Sequence, residues 1–201
     1  MQTVQIGGAA FILGGIAAAA LALMPTDPFR DCRTASVAGL DALGGHFALR
    51  TETGGLTTDS KLLDQPTLIY FGYTFCPDMC PLDNARNAEA AALLAEQGLN
   101  VQTVFVSVDP GRDTLERLRE YTNAFSDDLL GLTGTPAQIR GAADAFGVIY
   151  SIPEGGDEDY YLIDHSTLSY LTLPGHGVVD VVRRDDTPDD VAAKVGCYLN
   201  A

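Results

Sequence analysis

Hydrophobic and polar positions fall into blocks whose period changes along the chain. Residues 67–73 form a near-continuous apolar run, the pattern of a strand buried on both faces of a mixed sheet. A second run, Val101-Gln-Thr-Val-Phe-Val-Ser-Val108, has the same character. Between them, 82–97 reads as a helix stopped by Gly98, a residue suited to the left-handed C′ position. Strand, helix and strand make a βαβ unit. Three further helix starts are legible. Asp113-Thr-Leu-Glu116 reads as a capping box opening a helix to about Phe125. Thr135-Pro-Ala-Gln138 and Thr187-Pro-Asp-Asp190 each combine a Thr N-cap, Pro at the first helical position and an acceptor two residues later. Upstream, a first strand is predicted around His46-Phe-Ala-Leu49, with turn residues at 53–55 and at Asp64-Gln-Pro66. Between the last two helices, 147–152, 160–163, 169–173 and 177–182 form a β-rich segment with hairpin-like breaks. The pattern predicts an α/β fold, a thioredoxin-like sheet with a β-hairpin insertion before its terminal strands.

One block fits no globular element. From Ile6 to Met24 every residue is Gly, Ala, Ile, Leu, Phe or Met, and the first charge is Asp27. A membrane span needs about 20 predominantly apolar residues. The run is long enough to predict one N-terminal transmembrane helix. A cleaved signal would want Lys or Arg before the run, and none is there; a buried core helix would be shorter and carry polar positions. Arg30 and Arg33 follow the run but are offset by Asp27 and Asp31, so charge leaves the orientation weakly determined. The predicted organisation is a membrane anchor over 1–26, a linker over 27–43 and one domain over 44–201.

All charge follows the anchor, so the formal −15 of the 201-residue chain belongs to the part outside the membrane. This excludes nucleic acid as a partner, because phosphate backbones require basic patches. The acidic stretch Glu154-Gly-Gly-Asp-Glu-Asp159 reads as a solvated loop or as a docking surface for a basic partner. Four cysteines in an anchored domain suit an oxidising compartment. If Cys76 and Cys80 form one pair, Cys32 and Cys197 flank the domain. They read either as a staple or as free or intermolecular thiols.

The chemistry concentrates in Tyr70-Phe-Gly-Tyr-Thr-Phe-Cys-Pro-Asp-Met-Cys-Pro81, where an aromatic strand runs into two cysteines, each followed by proline. Pro81 is expected as the first helical residue, which would place both sulfurs on the loop before the helix. A helix N-terminus favours thiolate over thiol. Thiolate is the form that binds soft metals and the form that attacks disulfides, so metal binding and thiol redox both remain open. Of the three histidines, His46 at a strand start and His176 in the turn Pro174-Gly-His-Gly177 read as surface residues. His165 stands where an apolar stretch ends at Asp164-His165-Ser166, a position that suits a ligand or a hydrogen-bonded structural imidazole.

Four motifs occur in order: the Tyr70 to Pro81 stretch, Val108-Asp-Pro-Gly-Arg-Asp-Thr114, Leu130-Gly-Leu-Thr-Gly-Thr135 and Asp164-His-Ser-Thr167. Together they resemble the SCO/SenC family of copper-binding, thioredoxin-fold proteins, over nearly everything from Gly44 to the C-terminus. The resemblance implies a site for copper, as Cu(I) or Cu(II), made of Cys76, Cys80 and His165. Two thiolates are the soft ligands that select Cu(I), and an imidazole adds affinity for Cu(II). Asp164 would orient the imidazole, fill an outer position or cap a turn. Asp109, Arg112 and Asp113 read as turn and helix-cap residues. The family implies a metallochaperone delivering copper to the binuclear copper centre of cytochrome c oxidase, its partner being the copper-bearing subunit or another copper chaperone. The alternative is a thiol–disulfide oxidoreductase in which Cys76 and Cys80 form the redox-active pair and reduce the cysteines of that centre. Either reading places the protein in the inner membrane with its domain on the periplasmic side.

Overall fold

A computed structural model describes residues 27–33, 39–153 and 160–201. The predicted anchor and the acidic stretch 154–159 lie outside them. Among the described residues no helix is long and apolar enough to cross a membrane. The chain divides into two units, 1–31 and 32–201. The described part of the first is a turn in which the Asp27 carboxylate accepts the Phe29 N–H (3.0 Å).

The second unit is built on a seven-stranded sheet: β1 (Ala48–Thr51), β2 (Leu56–Thr58), β3 (Thr67–Gly72), β4 (Gln102–Ser107), β5 (Leu129–Thr133), β8 (Ser169–Leu173) and β9 (Gly177–Val182). Their spatial order is β2-β1-β5-β4-β3-β8-β9. Only β3, β4 and β5 run parallel; the flanking pairs are antiparallel. A separate two-stranded antiparallel pair, β6 (Tyr150–Ser151) and β7 (Asp164–His165), forms the insertion. The helices are α1 (Asp59–Leu62), α2 (Met79–Glu96), α3 (Leu115–Asn123), α4 (Pro136–Ala145) and α5 (Pro188–Leu199). Thus the predicted α/β architecture stands.

Strand β3 is central, and all six of its residues are buried. Alternation sends Ile69 and Phe71 to one face and Leu68, Tyr70 and Gly72 to the other. On the first face Phe71, Phe146 and Tyr170 form a ring cluster with centroids 5.4–6.3 Å apart. On the second, Tyr70 stacks on Phe105, which meets Tyr121 at 4.9 Å. Helix α2 covers this second face and packs against α5. It ends as expected at Gly98 (φ 77°), with Leu99 N–H donating to Leu94 O and Gly98 N–H to Ala95 O. That is the Schellman arrangement. The capping boxes of α4 and α5 form with all their expected partners.

Four local expectations change. Helix α2 begins at Met79 after Asp78 as N-cap, so Pro81 is its third residue and Cys80 lies in its first turn. Pro81 is tolerated there because the first N–H groups of a helix have no intrahelical acceptor. Helix α3 is capped by Thr114, whose hydroxyl accepts from Arg117 N–H, and not by Asp113. Asp113 is buried and bonded elsewhere. The stretch 160–163 is not a strand; the insertion pairs through Asp164–His165 instead. Finally, the part of the expected linker from Cys32 onward is tied to the domain. Cys32 is bonded to Cys197, Leu40–Ala42 form a 3₁₀ turn, and Leu40 and Leu43 pack on the core. The staple, left open by the sequence, therefore forms.

Candidate metal centre

Cys76 and Cys80 are free and buried. The Cys76 and Cys80 sulfurs and a His165 ring nitrogen all lie within 4.8 Å of one another, the one such cluster among the described residues. Each donor arrives from a different element. Cys76 sits on the loop leaving β3, held by its N–H to Tyr73 O (3.2 Å). Cys80 is carried by the first turn of α2, and its N–H points at Cys76 Sγ (3.4 Å). His165 comes from β7, 85 residues downstream, and brings Nε2 to 3.3 Å from Cys80 Sγ.

The imidazole has a defined tautomer. Nδ1 lies 2.9 Å from Ser166 O. A carbonyl can only accept, so Nδ1 carries the proton and Nε2 presents its lone pair to the sulfurs. This is the outer hydrogen bond that orients ligating histidines. It comes from Ser166 and not from Asp164, whose side chain is exposed and, by strand alternation, on the face opposite His165. The ring is held edge-on by Tyr73 (5.7 Å) and Tyr70 (6.1 Å).

The two thiols share one proton unequally. Cys76 is held well below the ordinary thiol value, to about 4, by its hydrogen bond with the Cys80 side chain. Burial opposes this, and the N–H groups of Cys80 and Asp78 assist it. Cys80 is pushed up by the same hydrogen bond and by burial. The pair is therefore a thiolate at Cys76 beside a thiol at Cys80, consistent with the positive end of α2. Because the Cys76 value is lowered, its thiolate persists as pH falls until that value is approached. In reduced protein the rate of Cys76 alkylation by iodoacetamide, followed by mass spectrometry, is expected to stay flat from pH 8 to pH 6. An ordinary thiol loses about tenfold per unit over that range. A tenfold fall per unit at Cys76 would put the proton on Cys76 instead.

Sequence reasoning missed the support beneath these ligands. The face of α2 below Cys80 is polar and buried: Asp83, Asn84, Arg86 and Asn87, while Leu82 is 60% exposed. Arg86 donates to Asp83 (2.8 Å), to Asn87 Oδ1 (3.1 Å) and to Arg183 O (2.9 Å). Asn87 donates to Ser169 Oγ (2.8 Å), and Asn84 to Cys80 O (2.9 Å). Tyr70 is fully buried, and burial with the nearby Cys80 and Asp83 pushes its hydroxyl up, keeping it neutral. The legible signal was helical spacing: Cys80, Asp83, Asn84 and Asn87 share one stripe. Asp113 accepts from Thr74 N–H (3.1 Å), Thr74 Oγ1 (2.6 Å) and Ser107 Oγ (2.6 Å), and so pins the cysteine loop to the end of β4. His46 and His176 are exposed and away from the cluster, as their sequence settings predict.

This donor set of two sulfurs and one oriented imidazole suits a soft or borderline metal, and it equally suits a disulfide-forming pair. Comparisons with known proteins point the same way. The SCO1/SenC family model matches residues 36–200. Protein SenC of Rhodobacter capsulatus is 46% identical over 195 residues, covering 96% of this chain and 87% of that protein. The human mitochondrial SCO1 homologue is 36% identical over 168 residues, covering 80% of this chain and 54% of its own length; the chain thus spans about half of that longer relative. Among solved structures, copper-bound ScoI of Arabidopsis thaliana superposes with a TM-score of 0.74 at 34% identity, covering 80% of this chain and all of that one. Copper-bound ScoI of Bradyrhizobium japonicum gives 0.70 at 36% identity, covering 79% and 100%.

Proposed function

Since the chain belongs to the SCO1/SenC family, we propose that it is a copper metallochaperone that binds one copper ion through Cys76, Cys80 and His165. The observation that carries this reading is the convergence of the three donor atoms within 4.8 Å from three separate elements. Thiolates hold Cu(I), and the neutral Nε2 extends the site to Cu(II). With only three protein donors, a soft donor on the recipient has room to enter and take the metal by ligand exchange. The recipient is the binuclear copper centre of cytochrome c oxidase, reached through its copper-bearing subunit or another copper chaperone. Residues 1–26 are a membrane anchor that keeps the domain at the periplasmic face of the inner membrane, with 27–43 as the lead-in to the domain over 44–201. The Cys32–Cys197 disulfide fits an oxidising compartment.

A second reading follows from the unequal thiols. Cys76, the thiolate, would attack a disulfide of the recipient, releasing one recipient thiolate and forming a mixed disulfide. Cys80 would then lose its proton and displace the second recipient thiolate, leaving Cys76–Cys80 oxidised and the recipient reduced by two electrons. Metal analysis and thiol counting on one preparation separate the two. Protein with Cys76 and Cys80 reduced is expected to bind one copper per chain, and protein with that pair oxidised none. Full copper binding by the oxidised form would sink the three-donor site. Reduction of the recipient's disulfide without any copper transfer would favour the second reading.

A further inference from the structure

The cysteines and the histidine come from separate segments, and little sheet pairing holds the histidine's segment. Strand β7 pairs with β6 over only two residues. The preceding stretch 160–163 is irregular and carries His165 into the site. The Arg112 side chain touches both segments. Its guanidinium lies over the Tyr161 ring (3.4 Å to the centroid) and over Phe75 (4.6 Å), the residue before Cys76. Arg112 Nη1 donates to Tyr161 O (3.0 Å), and Nε to Asp109 Oδ2 (2.5 Å). Asp109 in turn accepts from the Tyr161 hydroxyl (2.7 Å) and, through its N–H, is bonded to Ser107 Oγ (3.1 Å). The Tyr73 hydroxyl accepts the Ile163 N–H (3.2 Å), and the Tyr73 ring stands edge-on to His165. Arg112 and Asp109 are 90% and 99% buried as side chains, so the charge pair is held in a poorly solvated place where it depends on these partners.

We infer that Arg112 is a positioning residue that sets His165 against the cysteine pair by clamping Tyr161 to Phe75 and Asp109. This rests on the copper reading above and adds a residue that touches none of the three donors' atoms. The planar fork matters as much as the charge, because it stacks on Tyr161 and donates in two directions at once. Loss of the clamp lets 160–165 drift and costs the imidazole its aim, while both sulfurs stay in place. Cu(II), which depends on the imidazole, should therefore suffer more than Cu(I).

The test uses R112M, R112K, H165A and the double variant R112M/H165A in the full chain, at temperatures well below each melting transition. R112M is expected to weaken Cu(II) about 10- to 100-fold, the range for loss of an outer-sphere partner. It should also change the nitrogen hyperfine pattern in the Cu(II) EPR spectrum towards that of H165A. R112K keeps the charge but not the plane and should resemble R112M. R112M/H165A should bind copper no more weakly than H165A alone, since the clamp acts through the imidazole. In metal-free R112M, amide exchange over 160–165 should quicken. Wild-type Cu(II) affinity and EPR in folded R112M, or additive losses in the double variant, would overturn the inference. If H165A itself leaves copper binding intact, the copper reading falls; unchanged amide exchange in metal-free R112M would then overturn the clamp separately.

Discussion

His165→Ala is expected to reduce Cu(II) affinity by more than the roughly 100-fold that loss of an outer-sphere partner costs, because it deletes a donor outright. Cu(I) should be held more nearly as before, since two thiolates satisfy its softness without the imidazole. The side chain is half-buried and meets the core only at the edges of Tyr70 and Tyr73 and at Cys80, so its truncation removes little packing. The melting temperature should therefore change little, and the loss can be read as a site effect. Competition titrations against chelators of known affinity, run separately for Cu(I) and Cu(II), measure both arms. Equal weakening for the two oxidation states would mean that His165 shapes the thiol pair and does not ligate. No weakening for either would remove His165 from the site.

Gly72→Ala should be a damaging single methyl directly beneath the site. Gly72 ends β3 on the face that α2 covers, and a Cβ there would lie 2.6 Å from Cys80 Sγ. It would also lie 3.0 Å from both Phe105 Cε2 and Tyr70 Cε1. Ordinary carbon contacts sit near 3.5–4.0 Å, so the sulfur would have to retreat by about 1 Å. It has nowhere to go: Cys80, Tyr70 and Phe105 are all fully buried. Overpacking of this kind costs about 1–3 kcal/mol, and here the displaced atom is a donor. Copper affinity and stability should fall together in Gly72→Ala. The control is Gly141→Ala in α4, where a Cβ meets nothing within 4 Å; there Ala should stabilise by about 0.5–1 kcal/mol through the lower helix cost. Chemical denaturation and copper titration of both variants check this. Unaltered copper binding in Gly72→Ala would show that α2 can shift away from β3 without disturbing the site.

Much of the fold follows from short-range pattern. The buried strand β3, the Schellman end of α2 and the two Thr-Pro helix starts rest on residues a few positions apart, and they appear where local chemistry puts them. The errors were also local, and each has the same cause. Asp113 has the sequence of an N-cap, but Thr74 and Ser107 reach it first across the fold and leave capping to Thr114. The 160–163 stretch has the apolar content of a strand. Its rings and carbonyls are instead engaged by Arg112 and Asp109 from another loop. The polar face of α2 had no local signal of burial, because buried polar residues are rare; Arg86, Asp83, Asn87 and Ser169 bond to one another only once the helix packs on the sheet.

The sequence by itself determined that two cysteines would stand at a strand-to-helix junction, and that soft-metal or redox chemistry would occur there. Spacing and propensity act over a few residues, and only three residues separate Cys76 from Cys80. The family motifs pointed to His165, but residue chemistry left it between a ligand and a structural imidazole. Tertiary structure brings it to the sulfurs, since it is 85 positions from Cys80 and arrives on the β6–β7 insertion. Tertiary structure likewise decided that Ser166 and not Asp164 orients the ring and that Cys32 pairs with Cys197. Those outcomes depend on burial, on approach angle and on which donor arrives first, quantities that exist only when distant segments have been packed together.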